Sequence, residues 1–177
     1  EASMTLFHND ITFVKNTLNI CINEIIRLEK IFSLFDENSY ICELNRNSYL
    51  KNPPKELVEI LNFANTISEN TDGAFDVSVQ PLWLIHAKFF KDTNNKDINK
   101  LKEEIQKVKQ FISYKNILIS NNEISFEQKG VEITLNGIAQ GYITDKITNI
   151  LKEKGFTNVL INLGEFNSIG GYDENRD

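Results

Sequence analysis

Apolar residues recur at steps of four and three in the first part of the chain. Val14, Leu18, Cys21, Ile25, Leu28 and Phe32 share one face of a helix predicted over about residues 11–31, and charged and amide side chains fill the other face. Met4 to His8, ahead of it, alternates weakly and predicts an edge strand. Ser33 to Ser39 then reads as a polar loop. A second helix is predicted after Pro53 and Pro54, since a proline in the first turn forfeits no hydrogen bond. Leu57, Ile60, Leu61, Ala64 and Ile67 form its buried stripe, and Asp72-Gly73 terminates the segment. Residues 91–97 read as a surface loop, followed by a short amphipathic helix with Ile98, Leu101, Ile105 and Val108 inward. From residue 116 the period drops to two, and "NILIS", "EISFE" and "VEITL" predict three strands joined by tight turns at Asn121-Asn122 and Lys129-Gly130. A last helix over about 139–153 buries Ile143, Ile147, Ile150 and Leu151 and ends at Gly155. The near-continuous apolar run "TNVLINLG" predicts a central strand, and "GGYDENRD" a loop. Helices mixed with meandering strands, with no repeat or linker, predict an α+β fold in one domain over residues 1–177.

With 177 residues, 41% of them hydrophobic and 12 of them phenylalanine, the chain can build a real core. Its net charge of −6 argues against broad nucleic-acid binding, which needs a basic face. The most apolar stretch, residues 18–34, is broken by Asn19, Asn23, Glu24, Arg27, Glu29 and Lys30, so it does not read as a membrane span. Cys21 and Cys42 lack CxxC spacing and read as two buried free thiols, with a disulfide between them as the alternative. His8 and His86 are too few for a His-rich metal site.

Two stretches carry candidate chemistry. In "TLNGIAQGYITDKI", residues 134–147, a strand runs through a glycine-bearing turn into a helix start. Backbone N–H groups and the helix dipole point at an anion in such an arrangement, and glycine lets the backbone come close to it. The spacing Gly137-x-x-x-Gly141 is neither a P-loop nor a dinucleotide fingerprint, and the same glycines suit tight strand–helix packing. In "ENTDGAFDVSVQPLW", residues 69–83, Asp72, Asp76 and Gln80 surround Gly73-Ala74-Phe75. This reads either as a helix cap and turn with Phe75 and Trp83 in the core, or as a loop gripping a planar ring with backbone groups and one carboxylate.

Taken together, "IFSLFDENSYICELNR", "TDGAFDVSVQPLW" and "TLNGIAQGYITDKITNILKEKGFTNVLINLGE" resemble, in order, three motif segments of the ApbE family of FAD:protein FMN transferases. The wording "TLNGIAQGYITD" and "VQPLW" is similar to a NosX-like branch of that family. The resemblance implies an ApbE-like α+β domain that transfers FMN from FAD to a threonine hydroxyl on an acceptor protein, with Mg²⁺. By position, Phe35 stands where the family has a tyrosine stacking on the flavin nucleotide, and Ala74, Phe75 and Asp76 match residues lining FAD. Gln140 matches a lysine or glutamate near FAD, and Ile143 a residue whose main-chain carbonyl ligates Mg²⁺. Asp145 is expected to act mainly at the helix N-terminus, where a carboxylate suits the dipole. No residue is singled out as catalytic. Location is implied as well: the periplasm or the outer face of the cytoplasmic membrane, with membrane association through an N-terminal leader or lipid anchor.

Several departures from the family pattern accompany these matches. The family's opening "MGT" is absent, Phe35 lacks the hydroxyl, and Glu165 stands where a second glycine is common. The family's C-terminal segment, with its Mg²⁺-binding carboxylate and threonine, is not found, so that part of the domain is expected to be absent from this chain. The alternative is a non-catalytic FAD/FMN-binding or partner-binding module in respiratory-enzyme maturation.

Overall fold

The computed structural model describes residues 2–92 and 97–170. In chain order the elements are β1 (Ser3–Leu6), α1 (Ile11–Phe32), α2 (Tyr40–Asn47), β2 (Tyr49–Lys51), α3 (Lys55–Asn70), α4 (Gln80–Lys91), α5 (Ile98–Val108), β3 (Ile117–Ile119), β4 (Glu123–Phe126), α6 (Ala139–Glu153), β5 (Val159–Asn162) and β6 (Phe166–Ile169). Single 3₁₀ turns occupy Val77–Val79, Lys109–Phe111 and Tyr114–Asn116. The strands form two three-stranded antiparallel sheets, which with the helices make the α+β class the pattern predicts. Contacts gather the chain into two compact units: the two ends of the chain, up to Glu29 and from Asn136, and the intervening Lys30–Leu135.

In the first unit β5 is central, as the apolar run predicts, with β1 and β6 at its edges. Leu6 pairs with Val159 and Asn162 with Phe166. Val159 and Ile161 are buried while Leu160 stays 50% exposed, so only one face of this sheet is covered. The covered face meets a core of Cys21, Ile147, Leu151 and Phe156, against which Met4, Phe13, Val14, Ile25 and Ile143 pack. Phe13 stacks on Phe156 with ring centroids 5.4 Å apart. Asp10 caps α1: its Oδ1 accepts from the Phe13 N–H at 2.9 Å, and its carbonyl from the Val14 N–H at 3.1 Å. Helix α6 has the predicted bounds, and Gly155, with φ of 83°, follows it in the left-handed conformation. The loop predicted at the chain's end lies, apart from Gly170, outside the described residues.

In the second unit β4 is central between β2 and β3, with the predicted turn at Asn121-Asn122. The segment "VEITL" does not become a strand. Val131, Ile133 and Leu135 are buried by the expected alternation. Their backbone is instead satisfied by Asn45 of α2, whose Nδ2 donates to the Ile133 carbonyl at 2.9 Å and whose Oδ1 accepts from the Ile133 N–H at 2.8 Å. One side-chain amide thus stands in for a neighbouring strand. On its other side the Thr134 N–H donates to the Val77 carbonyl at 2.8 Å.

Other expectations are corrected. Helix α5 buries none of its residues, and Ile98 is 60% exposed, so its apolar stripe is only partly covered. Lys91 ends α4 and Asp97 caps α5, so residues 91–97 are not wholly loop, and 93–96 lie outside the described residues. Both cysteines are free, but only Cys21 is buried, which pushes its thiol pKa up; Cys42 is half-buried. Helices α2 and α4 and strand β2 have no counterpart in the hydrophobic pattern. Helix α2 is only 8 residues long, too short for a period to show.

Candidate functional site

Phe35 stands on a turn braced by its own polar groups. Ser33 Oγ accepts from the Phe35 N–H at 3.2 Å, and the Ser33 carbonyl accepts from Ser39 Oγ at 2.7 Å. Ser39 Oγ also caps α2 through the Cys42 N–H. These bonds hold the turn while the Phe35 side chain stays outside the core, 89% exposed. A large apolar ring displayed this way gains nothing from folding and is free to stack on a planar ligand.

The segment Ala74–Asp76 follows the end of α3. Asp72 adopts φ of 50° and donates its N–H to the Glu69 carbonyl at 3.3 Å, while the Gly73 N–H donates to the Ser68 carbonyl at 2.8 Å. This pair of bonds is a Schellman motif, with Asp72 rather than the glycine as its first left-handed residue. Ala74 is exposed and Phe75 half-buried. Trp83 is 52% exposed, so it is not the core residue that the cap-and-turn reading expects. The Asp76 carboxylate is fully engaged inside the protein. Its Oδ1 accepts from the Ser78 N–H at 2.8 Å and from Ser78 Oγ at 2.6 Å, and its Oδ2 accepts from the Tyr114 N–H at 2.8 Å. The Asp-x-Ser spacing carries the local half of this arrangement, an Asx turn. The bond to Tyr114, 38 residues away, has no local signal in the sequence. Gln80 ends the segment almost fully buried, and its Oε1 has no partner among the described residues.

Gln140 and Ile143 belong to the other unit. Helix α6 begins at Ala139 with Ile138 at its N-cap, and no side chain caps it. The N-cap side chain therefore takes none of the first-turn donors, and the positive end of the helix dipole has no N-cap acceptor. Gln140 is exposed in this turn. A Cβ added at Gly141 would meet nothing within 4 Å, so packing within the chain does not require a glycine there. Asp145 is not in the first turn; it is the seventh residue of α6, and its Oδ1 accepts from Asn167 Nδ2 at 3.0 Å. The helix-terminal role expected of it is thus replaced by a tie to β6.

The residues present do not make a Mg²⁺ site by themselves. Ile143 lies in the second turn of α6, where its carbonyl takes part in the helical ladder. Thr144 beside it has a buried hydroxyl with no partner among the described residues, a second neutral oxygen. No group of three or more His, Cys, Asp or Glu side chains converges among the described residues. Mg²⁺ demands near-octahedral oxygen ligands and dehydrates reluctantly, so two neutral oxygens do not suffice.

A sequence profile of the ApbE family matches residues 3–177. A FAD:protein FMN transferase of Buchnera aphidicola subsp. Schizaphis graminum (strain Sg) is 27% identical over 171 residues, covering 90% of this chain and 49% of the relative. The chain thus spans about half the length of the curated relative it matches. Among solved structures, a variant of the flavin transferase ApbE of Vibrio cholerae superposes with a TM-score of 0.80 at 18% identity, over 96% of this chain and 59% of that one. The Pseudomonas stutzeri flavinyl transferase ApbE, in its apo form, gives 0.77 at 16% identity, over 96% and 61%. The ApbE protein of Thermotoga maritima gives 0.77 at 24% identity, over 97% and 56%. At these identities the structures establish likeness of fold.

Proposed function

The chain belongs to the ApbE family, and from that premise we propose that it binds FAD and serves the transfer of FMN from FAD to a threonine hydroxyl of an acceptor protein. The observation that carries this reading is the uncapped start of α6, where Gly141 faces open space and Gln140 offers an uncharged amide. A pyrophosphate fits such a helix N-terminus, because backbone N–H groups and the dipole favour an anion there. Phe35 supports the nucleotide side of the reading, as an exposed ring available for stacking. The turn at Ala74–Asp76 supports it with an exposed Ala74 on a segment tied down by Asp76.

In the transfer, the threonine oxygen attacks the FMN-side phosphorus of FAD, the bond from that phosphorus to the AMP oxygen breaks, and the hydroxyl proton leaves to solvent or base. AMP departs and FMN stays as a phosphoester. Such chemistry asks the protein mainly for positioning and for charge stabilisation. The uncapped N-cap of α6, the open space at Gly141 and the exposed Phe35 ring account equally for a second reading, binding of FAD without transfer. The work is proposed to take place outside the cytoplasmic membrane.

The test is incubation with FAD and Mg²⁺, with and without a threonine-bearing acceptor, following AMP release and FAD binding separately. Acceptor-dependent AMP release supports the transfer. Binding without release supports the binding-only reading. No FAD binding at millimolar FAD sinks both.

A further inference from the structure

Gly164 follows β5 and has φ of 95°, a left-handed conformation suited to glycine. Its N–H donates to Asn162 Oδ1 at 3.1 Å, and the Leu163 N–H donates to the Glu165 carbonyl at 3.1 Å, so this short turn is fixed from both sides. Its Cα carries no side chain at the point where the Gln140 amide lies. A Cβ at Gly164 would fall 2.6 Å from Gln140 Nε2, 3.1 Å from Cδ and 3.4 Å from Oε1. These contacts involve the far end of a flexible side chain, not the backbone, so Gln140 is what would move. Gln140 is exposed and its amide has no hydrogen-bond partner among the described residues. With no hydrogen bond to fix it, the amide lies where the bare Cα of Gly164 leaves room.

We propose that Gly164 is a positioning residue for Gln140: the bare Cα after β5 is the seat that aims the Gln140 amide across the open start of α6. The inference rests on the flavin reading for its consequence in binding, but its structural half stands apart from any ligand. It also explains why a glycine follows the apolar strand "NVLIN" closely. The turn needs the left-handed conformation, and the amide of a residue 24 positions earlier needs the space.

The test is a double-mutant cycle read in two ways. In the ligand-free protein, the side-chain amide resonances of Gln140, assigned by their loss in Gln140→Ala, should shift in Gly164→Ala and in Gly164→Asn. The second variant keeps a Cβ but tolerates the positive φ better, which separates displacement of Gln140 from backbone strain. In FAD titrations, Gly164→Ala and Gln140→Ala should each weaken binding by about tenfold. In the Gln140→Ala background, Gly164→Ala should then add less than about twofold, because coupled residues are non-additive. Unmoved Gln140 resonances would overturn the proposal. So would an equal loss of affinity from Gly164→Ala with and without Gln140, which would mean that the turn acts through its backbone. If wild-type protein binds no FAD, the flavin reading fails while the resonances still decide whether Gly164 seats Gln140.

Discussion

The turn after α3 and the start of α6 both carry glycine-bearing motifs, and they treat their polar groups in opposite ways. At Asp76 every acceptor is used internally: one oxygen takes two donors from Ser78 and the other takes the Tyr114 N–H. At α6 the N-cap residue Ile138 gives no side-chain cap, Gln140 is exposed, and Gly141 has open space where a side chain would go. The first region is finished by folding alone. The second is left with donors and room that folding does not use. A residue in the first region acts on a ligand through the shape it maintains, whereas a residue in the second can act on it directly. The same residue types, an acid or amide beside a glycine, therefore imply different experiments in the two places.

The largest expected effect tests the finished region. Asp76→Ala removes the acceptor for three donors and leaves the Ser78 and Tyr114 N–H groups unpaired in a part-buried site. Hydrogen bonds to a charged group contribute about 1.5–3 kcal/mol each when buried, and solvent access lowers this, so a total loss of about 2–3 kcal/mol is expected in urea denaturation. Asp76→Asn keeps one acceptor oxygen and should lose roughly half as much. Weakened FAD binding should accompany the loss in proportion. If Asp76→Ala unfolds within about 0.5 kcal/mol of wild type while FAD affinity collapses, the carboxylate touches the ligand directly and the contrast between the regions disappears.

The open region should respond with opposite signs. Gly141 sits in the first turn of α6 and meets nothing, so Gly141→Ala should stabilise the ligand-free protein by about 0.5 kcal/mol through helix propensity. If a pyrophosphate approaches the backbone there, the new methyl group should weaken FAD binding by about tenfold, or about 1.4 kcal/mol. Thermal melts without FAD and titrations with it measure the two halves separately. A stabilised variant that binds FAD as well as wild type would show that Gly141 serves neither packing nor ligand.

Legibility in the sequence followed the range of the interactions. Helix α6 and the central strand β5 were readable because periodicity is local and their flanking signals, Gly155 among them, are adjacent in sequence. Residues 131–135 carry the alternation of a strand, yet the group that satisfies the Ile133 backbone is the Asn45 side chain, 88 residues away. Alternation reports which side is buried, not what fills the hydrogen bonds. The choice between a core and an exposed Trp83 stays open in the sequence for a related reason, since the hydrophobic pattern around it reveals no helix α4 and hence no outward face. At the candidate sites the motif residues were visible, but their use was not. Asp76 shows only its local partner Ser78 in the sequence, and Gln140 shows nothing of Gly164, which reaches it through the fold.

The smallest expected effect sharpens the comparison with a third case, a carboxyl beside the finished turn that folding leaves unsatisfied. Glu132 lies between the buried Val131 and Ile133, two residues before the Thr134 N–H that binds the Val77 carbonyl. It is half-buried with no hydrogen-bond or ion-pair partner among the described residues, and burial raises its pKa above the ordinary 4.5. A carboxyl raised in the folded state keeps its proton to higher pH when folded than when unfolded. The folded state then binds more protons in that window, and stability falls as pH rises through it. The favourable contribution is complete below 4.5 and is lost as pH passes the raised folded value. Glu132→Gln cannot ionise, so it should melt slightly higher than wild type at pH 7, and the difference should close below about pH 4.5. Melting both proteins from pH 4 to 8 measures this. A difference of the same size at both ends would mean that the substitution acts through packing rather than charge. A Glu132→Gln protein that melts lower at pH 7 would mean that the carboxylate has found a partner after all, as Asp76 has.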